Sequence, residues 1–179
     1  MNMDSIEKLT MLITGADGSI GRTFIADRRN AKKHLMLHIR SEKEDFSKWL
    51  EEISKDYNFT YELLYADFSN PDEVKSFSTK ILNSEHRISH FLHLVGIPYG
   101  SLFMMTSRRN LENVFTINYF SSVQIVQSVI KNMIKIGDGV FIYLSSIAAV
   151  EIYPGFTSYG SSKIAFDHSM KILASEISD

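Results

Sequence analysis

Ser146, Tyr159 and Lys163 have the types and spacing that suit proton transfer to a carbonyl oxygen. Tyr159 and Lys163 stand four residues apart, so on a helix they share a face one turn apart. A free phenol titrates near pH ~10 and needs help at neutral pH, which a neighbouring ammonium gives by favouring the phenolate. Lys163 is spaced to supply that charge. A hydroxyl such as Ser146 can hydrogen-bond a carbonyl oxygen as charge develops on it, while the phenol delivers the proton. The competing reading is a capped helix whose Tyr and Lys face water, because the Y-x-x-x-K spacing alone recurs by chance.

Positioning these groups takes a strand, a loop and a helix. Val140 to Leu144 is β-branched and aromatic and reads as a strand running out at Ser145 and Ser146. Pro154 and Gly155 mark the loop, and a helix opens near Tyr159. Upstream, Leu9 to Gly21 (LTMLITGADGSIG) is an apolar strand running into a glycine turn, followed by Ile20, Phe24 and Ile25 at helical spacing. Glycine lets a backbone turn tightly and approach a pyrophosphate, and the N–H groups of the next helix attract negative charge. Ser19 stands where it could cap that helix.

Further strands are expected at His34 to Arg40, Tyr61 to Ala66 and His90 to Gly96. Ser41 to Tyr57 reads as an amphipathic helix with Phe46, Trp49, Leu50 and Ile53 on its core stripe. A helix announced by Asn70-Pro71-Asp72 extends to about Ser84. Arg108 to Ile136 is a long helix whose apolar surface, from Val114 to Met133, is too wide for one face and implies burial on two sides. The alternation of strand and helix, five times over, predicts a parallel sheet with helices on both faces.

Composition excludes several classes. The 179 residues are expected to form one domain, 1–179, with ordinary globular usage: 44% hydrophobic and 22% charged. A net charge of -2 offers no basic footprint for nucleic acid. The absence of cysteine excludes disulfides and thiolate metal sites and fits a cytoplasmic setting. No apolar run reaches membrane-spanning length, and the polar start MNMDSIEKL does not read as a secretory signal. His90 and His93 would point to opposite faces of a strand, so the six histidines are assigned ordinary surface or core roles and no metal site is expected. Asn58-Phe59-Thr60 fits a glycosylation sequon by chance.

The Ser146, Tyr159 and Lys163 spacing, with the glycine turn upstream, resembles the short-chain dehydrogenase/reductase family, in particular its 3-oxoacyl-[acyl-carrier-protein] reductases. The resemblance implies a three-layer Rossmann-type sheet of order 3-2-1-4-5. It implies Ser146, Tyr159 and Lys163 as catalytic residues, joined by Asn118 in TINYF, where an asparagine holds a water that relays protons to the lysine. It implies a dinucleotide held by Gly15, Asp17, Gly18, Ser19, Ile20, Gly21, Arg40, Ser41, Asp67, Phe68 and Gly96, together with Tyr159 and Lys163. Arg40 and Ser41 at the end of the second strand favour NADP over NAD, since a basic residue suits the 2′-phosphate. Asp67 either accepts from the adenine amino group or, like Ser69, caps the following helix.

This chain departs from the pattern. Classical members carry TGxxxGxG, whereas Gly15, Gly18 and Gly21 give TGxxGxxG, a spacing that resembles the family's extended branch, with Ser19 in place of the middle glycine. Leu94 replaces an asparagine of the Asn-Asn-Ala-Gly segment, of which Gly96 remains. The family's sixth and seventh strands, its Pro-Gly cofactor loop and its substrate-closing helices have no counterpart before Asp179, so a shortened member is expected. The Val140 strand would then be an edge, and one wall of the site would be lacking. Two functions follow as expectations: an NADPH-dependent reductase of a small or acyl-carrier-bound ketone, or a non-catalytic partner of a full-length reductase. The family's habit implies a homodimer or homotetramer through the 108–136 and 159–178 helices, or a heterodimer with a longer homologue.

Overall fold

The computed structural model describes residues 10–27, 30 and 33–177; Leu9, expected to open the first strand, lies outside them. Among the described residues five strands form one sheet: β1 (Thr10–Thr14), β2 (His34–Ile39), β3 (Thr60–Tyr65), β4 (Ile88–His93) and β5 (Val140–Tyr143). All neighbours pair in parallel, in the order β3-β2-β1-β4-β5, which is the 3-2-1-4-5 arrangement expected. The helices are α1 (Ser19–Ile25), α2 (Glu44–Tyr57), α3 (Pro71–Leu82), α4 (Arg108–Phe115), α5 (Ser122–Ile136) and α6 (Thr157–Glu176). Contacts group the described residues into two compact units, one running up to Leu94 with Ile125–Tyr143, the other of Val95–Gln124 with Leu144 onward.

The first unit is the sheet and its helices. On one face Ile13, Leu35, Leu37 and Ile39 meet Ile25 of α1 and Phe46 and Leu50 of α2, all without measurable exposure. Strand alternation turns Leu12, Met36 and Phe91 to the opposite face, where they are equally buried. There α3 brings Phe77 edge-on to the His38 ring, 5.0 Å between centroids. Helix α3 starts at Pro71 because Asn70 caps it, its side chain accepting from the Asp72 N–H at 3.1 Å. Neither Asp67 nor Ser69 is the cap. At the other end of the sheet, β5 leaves Val140 44% and Ile142 51% exposed.

The second unit packs α4 against α6, with Tyr119 Oη 3.2 Å from Ser169 Oγ. Phe166 and Met170 form the buried part of the α6 stripe, Leu173 is half-buried and Ile177 exposed. The long helix expected over 108–136 is not regular. Between α4 and α5, Thr116–Ser121 forms a π-helical turn, and it carries the buried Asn118. Such a turn adds one residue to the helical repeat, a departure that hydrophobic periodicity does not reveal.

Candidate functional site

The glycine turn belongs to the first unit. Gly15 has φ +72°, the left-handed region in which a side chain is strained. Its N–H donates to His38 Nδ1 at 3.3 Å, and the His38 carbonyl accepts from Ala16 N–H at 3.0 Å, so β2 holds the turn from behind. Gly21 is required by space: a Cβ there would lie 2.6 Å from the Ala16 carbonyl oxygen and 2.7 Å from that of Gly15. Gly18, not Ser19, is the N-cap of α1, without a side-chain cap bond. The expected cap fails because Ser19 is already helical; its carbonyl accepts from the Thr23 hydroxyl at 2.9 Å. Ile20 is 42% exposed beside it.

Asp17 is tied into the loop after β2. Its carboxylate pairs with Lys43, and its carbonyl accepts from Arg22 Nε at 3.1 Å. Arg22 also pairs with Asp45 at 2.9 Å and lies over the Phe46 and Trp49 rings at 4.9 and 5.0 Å. Arg40 and Ser41 are exposed in the same loop. Lys43 was missed by the sequence reading, although it stands only three residues beyond Arg40.

At the end of β3, Asp67 accepts from both the N–H and the hydroxyl of Ser69 at 2.8 Å. Those bonds, with some help from the Arg40 charge, hold its carboxyl below the usual range. The Asp67 N–H donates to Glu73 at 2.7 Å. The Phe68 side chain is 3% exposed, stacked on His38 at 4.1 Å, and packs as core. His38 itself is polar yet buried, with Nε2 2.9 Å from the Ala66 carbonyl. Burial pushes its pKa down to about 4, against weaker opposing effects of that carbonyl and of Asp17. A histidine inside an apolar strand was the available signal for it.

The second unit gathers the proposed proton-transfer residues. Tyr159 lies in the first turn of α6 and Lys163 one turn on, with the ammonium nitrogen 5.9 Å from the phenol ring centroid. Lys163 is 7% exposed, donates to the Leu144 carbonyl at 3.0 Å, and has its pKa lowered by burial, which the Asp167 charge opposes. Ser146 leads a short 3₁₀ turn, Ile147–Ala149, and its hydroxyl accepts from the Ala148 N–H at 3.2 Å. Ser145, its neighbour, donates to Asp167 at 2.7 Å.

Asn118 is bonded on both sides of its amide. Its Oδ1 accepts from Ile97 N–H at 2.8 Å, and its Nδ2 donates to the Ile97 carbonyl and to Ser162 Oγ, both at 3.0 Å. Ser162 passes the connection on, donating to the Tyr159 carbonyl at 2.7 Å. A buried backbone contact is therefore what holds this asparagine. Gly96 adjoins the same cluster: a Cβ on it would stand 3.1 Å from Lys163 Nζ and 3.5 Å from Asn118 Oδ1. Its small size makes room for the lysine. Ser162 was also missed, although it directly precedes Lys163.

The sequence pattern described as short chain dehydrogenase matches residues 9–179. A fatty acyl-CoA reductase of Acinetobacter baylyi is 24% identical over 97% of this chain and 59% of its own length. A 3-oxoacyl-[acyl-carrier-protein] reductase FabG of Buchnera aphidicola subsp. Acyrthosiphon pisum is 27% identical, over 97% of this chain and 69% of its own. The chain thus spans roughly three fifths to two thirds of these relatives. A short-chain dehydrogenase from Sphingobium yanoikuyae, solved in complex with NADPH, shares the fold with a TM-score of 0.85 at 21% identity, covering 95% of this chain and 66% of that one. No described helix is long and apolar enough to cross a membrane.

Proposed function

Because the chain belongs to the short-chain dehydrogenase/reductase family, we propose that it acts as a single nucleotide-binding domain in the NADPH-dependent reduction of a ketone or 3-oxoacyl carbonyl. The observation that carries this reading is the buried Lys163 ammonium set 5.9 Å from the Tyr159 ring, on a helix tied through Ser162 to Asn118. An ammonium taken out of water beside a phenol marks a candidate proton-transfer pair.

The residues present fit the dinucleotide. Gly15 and Gly21 let the chain turn tightly into α1, and a pyrophosphate would lie against that turn. Arg40 and Lys43 offer cations for a 2′-phosphate, with Ser41 between them; Asp67 would accept from the adenine amino group. The relatives' names and the NADPH of the Sphingobium structure support this choice of cofactor and substrate class. When bound, the reduced nicotinamide supplies a hydride to the carbonyl carbon.

The rest is the work of this chain. Tyr159 donates its proton to the carbonyl oxygen, and the Lys163 ammonium, 5.9 Å from the ring, offsets the negative charge left on the phenol oxygen. Ser146 turns its hydroxyl hydrogen to the same oxygen; the lone pair it gives to Ala148 N–H fixes that orientation. Asn118 is a positioning residue, holding Ile97 and the turn that bears Tyr159. The test is NADPH binding, followed through Trp49 fluorescence, and NADPH-dependent ketone reduction by the purified chain and by Tyr159→Phe. Binding by both with turnover lost in the variant supports the reading; turnover unchanged in the variant overturns it.

A second reading, a non-catalytic partner of a full-length reductase, is favoured by exposed apolar side chains on the helices expected to pair: Phe120 at 61% and Ile164 at 54%. No nucleotide binding, with co-purification of a longer homologue, would select it.

A further inference from the structure

We propose that His34, Glu62 and His86 form a site for a zinc-class divalent cation at the end of the sheet where the strands begin. Each offers one ligand atom, and these atoms all lie within 4.8 Å of one another. The site lies wholly in the first unit and does not depend on the reductase reading.

Register explains the convergence. His34 opens β2 and pairs with Thr60, while Met36 pairs with Glu62, so His34 and Glu62 are diagonal neighbours on one sheet face. His86 comes from the segment between α3 and β4. Its successor Arg87 accepts from the Thr10 N–H at 3.1 Å, and Thr10 is the β1 residue paired with His34. The two imidazoles are thereby brought to 4.5 Å between ring centroids. Spacing along the chain gives no hint of this, since the three ligands sit in three separate segments; the expectation of no metal site rested on the opposed faces of His90 and His93 and on the lack of a carboxylate pattern beside them.

The surroundings suit a metal. His34 Nδ1 is 3.0 Å from the Thr60 hydroxyl, which orients the ring and assigns coordination to Nε2, the usual arrangement for a ligating histidine. Glu62 pairs with Lys80 through Oε1 at 2.6 Å, so its second oxygen can serve the cation while the lysine stays in place. His86 is exposed, and with Met36, Glu62, Thr79 and Lys80 it lines an open groove of about 780 Å³ that gives a cation entry and room for water. Two imidazoles and a carboxylate select zinc and its borderline neighbours over magnesium or calcium, which prefer oxygen ligands alone. The glycine turn follows the opposite end of β1, about 15 Å away at ~3.3 Å per residue. The cation is therefore a tie between β2, β3 and the segment entering β4, and not a reacting group.

The experiment titrates the tag-free full chain with Zn²⁺ by calorimetry, beside His86→Ala, Glu62→Gln and, as a control, His168→Ala on α6. One saturable equivalent is expected for the wild type and the control, with affinity weakened at least about tenfold in His86→Ala and more mildly in Glu62→Gln. Co²⁺ substitution should give visible d–d bands that His86→Ala abolishes, and Zn²⁺ should raise the melting temperature of the wild type but not of that variant. His86 is exposed, so its truncation leaves the fold intact. No saturable binding to the wild type, or binding unchanged in His86→Ala, overturns the site.

Discussion

The unit that carries Tyr159 leaves more of its large apolar side chains exposed than the sheet unit does. In the first, Leu12, Ile13, Leu35, Leu37, Phe46 and Leu50 are fully buried. In the second, Met104 is 91%, Val150 84% and Ile152 98% exposed. Order around Tyr159 rests instead on a chain of polar bonds from Ile97 through Asn118 and Ser162 to the Tyr159 carbonyl. The difference teaches that stability and chemistry are separable here: hydrophobic burial holds the sheet, and directed hydrogen bonds aim the proposed proton donor.

Substitutions can break that contrast. The largest effects should come as a crossed pair. Phe46→Ala, in the sheet core, is expected to lower unfolding free energy by about 3–5 kcal/mol in urea denaturation. Tyr159→Phe should leave the denaturation midpoint unchanged while reducing ketone turnover by about 10²–10⁴-fold in an NADPH-oxidation assay. If Tyr159→Phe unfolds the protein instead, the proposed division fails.

Acid tests the sheet unit alone. His38 is held near pKa 4 in the fold against an ordinary value near 6.5, so the unfolded chain binds the extra proton between those values. Its stability contribution is full above about 6.5 and is lost as pH falls through about 4, a total of about 3 kcal/mol. A protonated Nδ1 would also confront the Gly15 N–H, donor against donor. Denaturation curves across this range should flatten in His38→Gln; an unchanged slope would place the acid sensitivity elsewhere.

Smaller effects sharpen the second unit. Asn118→Ala strips partners from Ile97 and Ser162 and should cost about 1–3 kcal/mol, with turnover falling further than stability alone explains, read by kinetics at a temperature where the variant is folded. Met104→Ser, at an almost fully exposed site, should move the midpoint by less than about 0.5 kcal/mol.

Much of the sheet unit was legible in the sequence because its signals are local. The apolar runs of β1, β2 and β4 and the Phe46 to Ile53 stripe of α2 declare themselves by pattern, and the family resemblance supplied the strand order. At the start of α3 the boundary was readable from Asn70-Pro71-Asp72, but the cap is Asn70 and neither Asp67 nor Ser69. In the second unit the spacing of Ser146, Tyr159 and Lys163 was readable, but the support for it was not. Ser162 bonds across forty-four residues to Asn118, and Gly96 yields space to a side chain sixty-seven residues away. The burial of the Phe68 side chain was hidden for the same reason: its partners His38 and Phe77 come from elsewhere in the chain.

The π turn at Thr116–Ser121 has a consequence for how Asn118 can be lost. Such a turn is what a single inserted residue leaves behind in an ordinary helix. The aim of the amide is then a property of chain length as much as of chemical type. Excising one neighbour while keeping every contacting residue would swing it by about 100°, a misalignment that no point substitution reproduces.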